Sequence, residues 1–403
     1  MSHDLLVATR TRPAFAAIEA FAQASGIVLR ESSGAPSATN RLVTRVDDGR
    51  ERVIDIDEPV RIEADDLPDD LVGVVTRPAW LTEIHLPGGY DEATDRWALE
   101  LAVYLARDGD GAVFDPQLDQ IAWPPGVTPR RRGATDERIR TLELDWYIPA
   151  NRQPRDAADR FLNAVARDFA AAAPTRFGSF EPLQERLDRD GPGAFSEAWQ
   201  AQADDEVGGM LFWSARSPGL HGSVSFPGRH ADASGAVVRL TTSIDARPLY
   251  RRPEACEAAV DLFAAVAGDL HVMYAAGCVL RDAIMRRGKV AYDADSELGP
   301  LPRNRSWVGL PALPTWLAWF GDPYRDLVES RLDPGTITER PSGLLVRCGR
   351  EPMDADGLRG VFPDLPAELL ATRRPGSSVE PSTRITITSG PPSRPAATIP
   401  ALD

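Results

Sequence analysis

His221, Ser223 and Ser225 stand at alternate positions in Leu220-His221-Gly222-Ser223-Val224-Ser225-Phe226. In a strand that spacing puts all three on one face and Gly222, Val224 and Phe226 on the other, and a histidine beside serines is the pairing used for nucleophilic catalysis. A working triad also needs a carboxylate to orient the imidazole and a serine exposed on a strained turn. No G-x-S-x-G surrounds these serines, so the expected reading is a wet strand face, and no catalytic residue is assigned. The other histidines, His3, His85, His230 and His271, form neither H-x-H nor H-E-x-x-H, and zinc catalysis is not expected.

Carboxylates offer more. Residues 47–70 hold Asp47, Asp48, Glu51, Asp55, Asp57, Glu58, Glu63, Asp65, Asp66, Asp69 and Asp70, eleven against three arginines. Asp55 and Asp57 share a strand face and with Glu58 could hold a hard divalent cation, yet a solvated face followed by an acidic loop is the simpler account. A dense acidic patch also steers a protein toward a basic partner, which makes Asp65, Asp66, Asp69 and Asp70 candidate partner-binding residues. Asp108-Gly109-Asp110-Gly111 begins like a calcium loop, but its pattern breaks at Ala112 and position twelve is Asp119 instead of Glu. Asp293, Asp295 and Glu297 have no histidine close in sequence. No metal and no cofactor are expected.

The 60 Asp plus Glu against 45 Lys plus Arg give a net charge of −15, opposite to that of a nucleic-acid binder. Arg130-Arg131-Arg132, between Pro129 and Gly133, reads as a solvated linker. Lys289 is the one lysine and lies outside any G-x-x-x-x-G-K-[ST], which excludes a phosphate-binding loop of that type. Cys256, Cys278 and Cys348 are odd in number and widely spaced, arguing against a disulfide framework and for a reducing cytoplasm. The N-terminus does not read as a secretory leader. The most apolar region, Ala255 to Leu280, carries Glu257, Asp261, Asp269 and His271, so it reads as core and not as a membrane span.

The elements that must position these residues follow from periodicity. Leu5-Leu6-Val7-Ala8 predicts a strand, Pro13 opens a helix with Phe15, Ile18 and Phe21 on one face, and Gly26 ends it. Strands follow at Ile27–Leu29, Leu42–Val46 and Arg52–Ile56, then a run from Val74 through Ile84, a helix with Trp97, Leu101, Tyr104 and Leu105, and a strand at Ala112–Phe114. A similar order recurs later. Leu142–Ile148 alternates as a strand; Phe161, Leu162, Val165 and Phe169 mark a helix; a polar helical insert spans 180–203. Met210–Trp213 and Gly222–Phe226 make a hairpin, Val237–Thr242 is the next strand, and a helix with Ala259, Leu262, Phe263 and Val266 leads to Leu270–Tyr274. A helix is predicted near Trp316–Leu332 and a strand at Gly343–Cys348.

This order fits an α+β protein of two consecutive ferredoxin-like β-α-β-β-α-β units with insertions and a C-terminal extension. Residues 1–125 are expected as an N-terminal α+β domain and 126–140 as a linker. Residues 141–374 would form the second domain, and 375–403 a mostly disordered tail in which Arg384–Thr388 could dock as an edge strand.

Trp307, Trp316, Trp319, Phe320 and Tyr324 gather among Pro311, Pro314 and Pro323. Aromatics held by prolines could form a recognition surface, which nominates Trp316, Trp319 and Tyr324 as partner-binding residues; capping a core is the plainer use of such residues. The segment Leu310-Pro311-Ala312-Leu313-Pro314-Thr315-Trp316-Leu317-Ala318-Trp319-Phe320-Gly321-Asp322-Pro323-Tyr324, with the strand–helix order before it, resembles immunity proteins of bacterial polymorphic-toxin systems, the immunity protein 52 type in particular, over residues 141–332. The resemblance implies a cytoplasmic, non-enzymatic protein that neutralises a toxin by binding it, and it supplies no catalytic residues. The expected partner is another protein, basic in charge, with no role for nucleic acid or membrane. An enzyme whose site assembles between the domains, and a structural component of a bacterial assembly, are the alternatives.

Overall fold

The computed structural model describes residues 3–373 and 379–380, except 27, 32–39, 46–50, 64–65, 68–70, 72, 87–90, 117, 119, 128–136, 229–235, 287–288, 293–306 and 308. The sequence readings at Arg130–Arg132, Asp65, Asp69, Asp70, His230, Asp293, Asp295, Glu297 and Arg384–Thr388 lie outside the described residues. The chain divides into two compact units, Met1–Ala134 and Thr135–Asp403. Both are α+β, each with helices packed on an antiparallel sheet. Among the described residues no helix is long and apolar enough to cross a membrane.

The first unit runs β1 (His3–Thr9), α1 (Phe15–Ala24), β2 (Val28–Glu31), β3 (Asn40–Arg45), β4 (Glu51–Ile56), β5 (Val60–Arg61), β6 (Trp80–Leu86), α2 (Glu92–Asp108), β7 (Ala112–Asp115) and β8 (Gln120–Trp123). Among the described residues its eight strands form one sheet in the order β2-β3-β4-β6-β1-β7-β8, with β5 beside β6. Alternation decides the layers: Leu5, Val7, Ile54, Ile56, Ile84 and Leu86 meet Ile18, Phe21, Leu101 and Leu105 of the helices. On the other face Ala8, Leu81 and Phe114 close over Ile62, Leu67, Leu71 and Val75. Asp91 caps α2 by accepting from the Thr94 N–H at 2.9 Å. Gly111 admits the close pass of β1, because a Cβ there would lie 2.1 Å from the Ala8 carbonyl oxygen.

The second unit runs β9 (Glu137–Pro149), α3 (Ala157–Asp168), β10 (Pro174–Gly178), β11 (Glu185–Arg186), α4 (Leu187–Ala203), β12 (Met210–Ala215), β13 (Gly219–Ser225), β14 (Val237–Asp245), α5 (Arg247–Arg251), α6 (Pro253–Asp269), β15 (Tyr274–Arg286), β16 (Lys289–Tyr292), β17 (Leu317–Gly321), α7 (Asp322–Val328), β18 (Ile337–Arg340), β19 (Gly343–Arg347), β20 (Thr372–Arg373) and β21 (Val379–Glu380). Among the described residues eleven strands form its sheet, in the order β11-β10-β12-β13-β14-β9-β15-β17-β19-β18 with β16 beside β15. β9 starts at Glu137, within the stretch read as a linker. One face carries Leu142, Leu144, Trp146, Trp213, Leu240 and Trp319 against α3, α4 and α6, where Phe161, Phe195, Trp199 and Phe263 fill the core.

The helix expected over Trp316–Leu332 is a correction. Leu317–Gly321 is a strand paired with both β15 and β19, and the helix starts only at Asp322. Trp319 and Phe320 are strand formers buried on both faces of the sheet, and Pro323 at the first turn sets the helix start.

Candidate functional site

The site grows from the β9 segment Leu142-Glu143-Leu144-Asp145-Trp146-Tyr147-Ile148. Its apolar residues face the helices, and the Trp146 Nε1–H donates to the Phe263 carbonyl at 3.0 Å. Glu143, Asp145 and Tyr147 therefore point to the opposite side of the sheet. Register lines up three cross-strand rows there. One reads Arg176, Ser214, His221, Ser243, Glu143 and Cys278. The next reads Phe212, Ser223, Thr241, Asp145 and Ala276. The third reads Met210, Ser225, Arg239, Tyr147 and Tyr274.

Exposure grades across these rows. Glu143, Asp145 and Ser243 are 7%, 5% and 0% exposed, while Met210, Phe212, Ser214, His221, Ser223, Ser225, Arg239 and Thr241 are half-buried. Asp145 Oδ1 accepts from Arg239 Nε at 2.9 Å and from the Thr241 hydroxyl at 2.7 Å, and Arg239 Nη2 lies 2.9 Å from the same oxygen. The Ser243 hydroxyl donates to Glu143. Burial opposes the Arg239 charge, and the fields of Asp145, Tyr147 and Glu143 outweigh it, so the guanidinium is held above its ordinary range.

Three groups in these rows could bear on nucleophilic chemistry: His221, the Ser243–Glu143 pair and Cys278. Burial pulls the His221 pKa down, against the opposing carboxylate of Glu181. Ser243 stands between His221 and Glu143 in the row, so the carboxylate engages a hydroxyl where a triad would need it on the imidazole. The Cys278 thiol is pushed up to about 12 by burial, with Asp145 and Glu143 adding to it, which removes it as a nucleophile at neutral pH. Sequence reasoning found His221, Ser223 and Ser225 on a shared face; it missed Glu143, Asp145 and Arg239. Their signal was present, as acidic residues alternating with Leu and Trp in a strand whose other face is core.

The aromatic candidates need correction. Trp316, Trp319 and Tyr324 are 0%, 1% and 0% exposed and anchor no surface. The Trp319 Nε1–H donates to the Val272 carbonyl at 3.2 Å, and the Tyr324 hydroxyl accepts from Trp307 Nε1 at 2.6 Å inside the core. The Trp316 ring lies beneath the Arg347 guanidinium, 5.7 Å from its centroid. In the acidic region, Asp66 is spent on the backbone, accepting from the Glu63 N–H at 2.8 Å. Asp57 and Glu58 diverge: Glu58 pairs with Arg12 at 2.6 Å and Asp57 turns to His85 at 3.0 Å. Hydrogen bonding to Asp57 raises the His85 pKa to about 9 against the opposing cost of burial, with Asp4 adding to the rise.

No protein-family model matches the chain, and no curated protein does. Among solved structures, a Pseudomonas aeruginosa T6SS protein, PA0821, is similar at 14% identity and a TM-score of 0.35, over 53% of this chain and 69% of that one. At that score the likeness carries no weight for fold or function.

Proposed function

We propose that the chain is a protein-binding protein that acts by masking its partner, built on two ferredoxin-like units, with a basic toxin as the kind of partner that fits. The observation that carries the reading is the polar sheet face of the second unit. Half-buried Met210, Phe212, Ser223, Ser225 and Arg239 form a fixed array, and Asp145 immobilises the arginine. Aromatic, Met and Arg side chains held rigidly among small hydroxyls are what interface centres use, and their pre-ordering lowers the entropy lost on docking. The net charge of −15 favours a basic partner and steers its approach.

The fold reading is supported by strand order. In β7-β1-β6-β4 and in β15-β9-β14-β13 the first strand of the unit lies between the strand that precedes the second main helix and the strand that follows it. The ferredoxin-like arrangement has this order.

The test is a pull-down with the tagged full-length chain from a lysate of its own source, washed at low and moderate salt, beside a Ser223→Arg bait of unchanged thermal midpoint. One retained protein that is released by salt and absent from the Ser223→Arg bait is expected. A wild-type bait that retains nothing, or a variant that keeps the same partner, overturns the reading. Charge reversal of Asp65, Asp66, Asp69 and Asp70 should weaken the same complex, and unchanged affinity would remove the acidic patch from the interface.

A further inference from the structure

The helix-free face of the first sheet gathers residues far apart in sequence. β6 lies between β1 and β4, so His85 is the cross-strand partner of Asp4 on one side and of Asp55 on the other. Glu83, two residues back on β6, shares its face. Asp57 leaves the end of β4 and is tied back by its own N–H, which donates to the Glu83 carbonyl at 2.9 Å. Around the imidazole, Asp4 Oδ1 is 2.9 Å from Nδ1, Asp57 Oδ2 is 3.0 Å from Nε2, and Glu83 Oε2 is 3.8 Å from Nε2.

We propose that Asp57, Glu83 and His85 form a binding site for a divalent cation of the zinc type, with Nε2 of His85 as its nitrogen ligand and Asp4 as the group that orients the ring. One donor atom from each of the three residues lies within 4.8 Å of the others. A tetrahedral zinc ion with ligand distances of about 2.0–2.2 Å spaces its donors roughly 3.4 Å apart, between the two separations seen at Nε2. Glu83 distinguishes this arrangement from a plain hydrogen-bonded histidine. At 3.8 Å its oxygen is too far to accept a hydrogen bond from the ring, yet its position suits a second oxygen ligand on a shared ion, and its carboxylate makes no hydrogen bond among the described residues. Asp4 accepting from Nδ1–H holds the ring with Nε2 facing Asp57 and Glu83, the carboxylate–histidine–metal relation, and an ion binding there displaces the proton that Nε2 donates to Asp57. The four side chains are 34–36% exposed, so an ion reaches them from solvent. Imidazole with carboxylates selects zinc-like ions over Mg²⁺, which prefers an all-oxygen octahedron.

The test uses the full chain, stripped with chelator and titrated with ZnCl₂ and separately with MgCl₂ by calorimetry, with zinc content measured after dialysis. One Zn²⁺ per chain and far weaker Mg²⁺ binding are expected. Zinc affinity should fall by at least about tenfold in Asp57→Asn and His85→Gln, and by about 10–100-fold in Asp4→Asn. Glu58→Gln, whose carboxylate belongs to Arg12, should bind as the wild type does. Zinc should also move the ring ¹⁵N resonance of His85 Nε2. The near-isosteric Asp57→Asn decides the matter should His85→Gln fail to fold. No zinc binding, equal binding by Asp57→Asn, or Mg²⁺ bound as tightly as zinc overturns the assignment.

Discussion

Asp354 shows how single groups tie the second unit together. Arg281 donates to both of its carboxylate oxygens, through Nε at 2.5 Å and through Nη2, and the Gly357 N–H adds a third bond at 3.0 Å. The Arg281 hydrogen bonds lower the Asp354 pKa to about 2, against a small opposing cost of burial, with the Gly357 bond helping. Because the folded pKa lies below the ordinary value of 3.8, the pair's contribution is complete above that value and is lost as pH falls toward about 2. The stability gap between wild type and Arg281→Met, measured by urea unfolding at stepped pH, should therefore be flat above about pH 5 and should close toward pH 2. A gap that stays constant through that window would show that Arg281 acts through packing alone. Neither partner was readable beforehand, since 73 residues separate them and nothing local to Asp354 marks it as a charge-pair residue.

Strands were readable from sequence where one face is core and the other polar, as in β9, β13 and the ends of β4. Reading failed where both faces are covered. The Trp316–Phe320 run has no polar alternation to betray a strand, and α4, whose Gly191 sits at φ +83°, starts later than its polar composition suggested. The hairpin of β12 and β13 shows how tightly such elements are fitted. The Trp213 ring lies over Gly222, so a Cβ there would fall 2.3 Å from Cε2 and Cζ2. The ring cannot retreat easily, being 1% exposed and in contact with Phe161 and Phe195 at centroid distances of 5.3 and 5.8 Å. Gly222→Ala should accordingly cost about 1–3 kcal/mol through overpacking, read as a lower urea midpoint at unchanged slope. An unaltered midpoint would mean that the indole slides aside at no cost.

At the scale of the chain, the sites follow from the strand order of two antiparallel sheets more than from local motifs. His85 meets Asp4 and Asp57 across 81 and 28 residues, and Asp145 meets Arg239 across 94; register brings them together, and register is set by which face must be buried. The same logic bears on autonomy. Among the described residues, the first unit's two core clusters draw on residues between Leu5 and Val127, and the second unit's core draws on Leu142 through Leu370. A unit that fills its own core from its own residues should fold alone, and both exceed the size at which a single core becomes marginal. Residues 1–134 and 135–403, expressed separately, should each give a cooperative melt and a dispersed amide spectrum. A molten or aggregated 135–403 fragment would mean that its sheet needs the first unit to close, and the polar face would then have to be studied only in the intact chain.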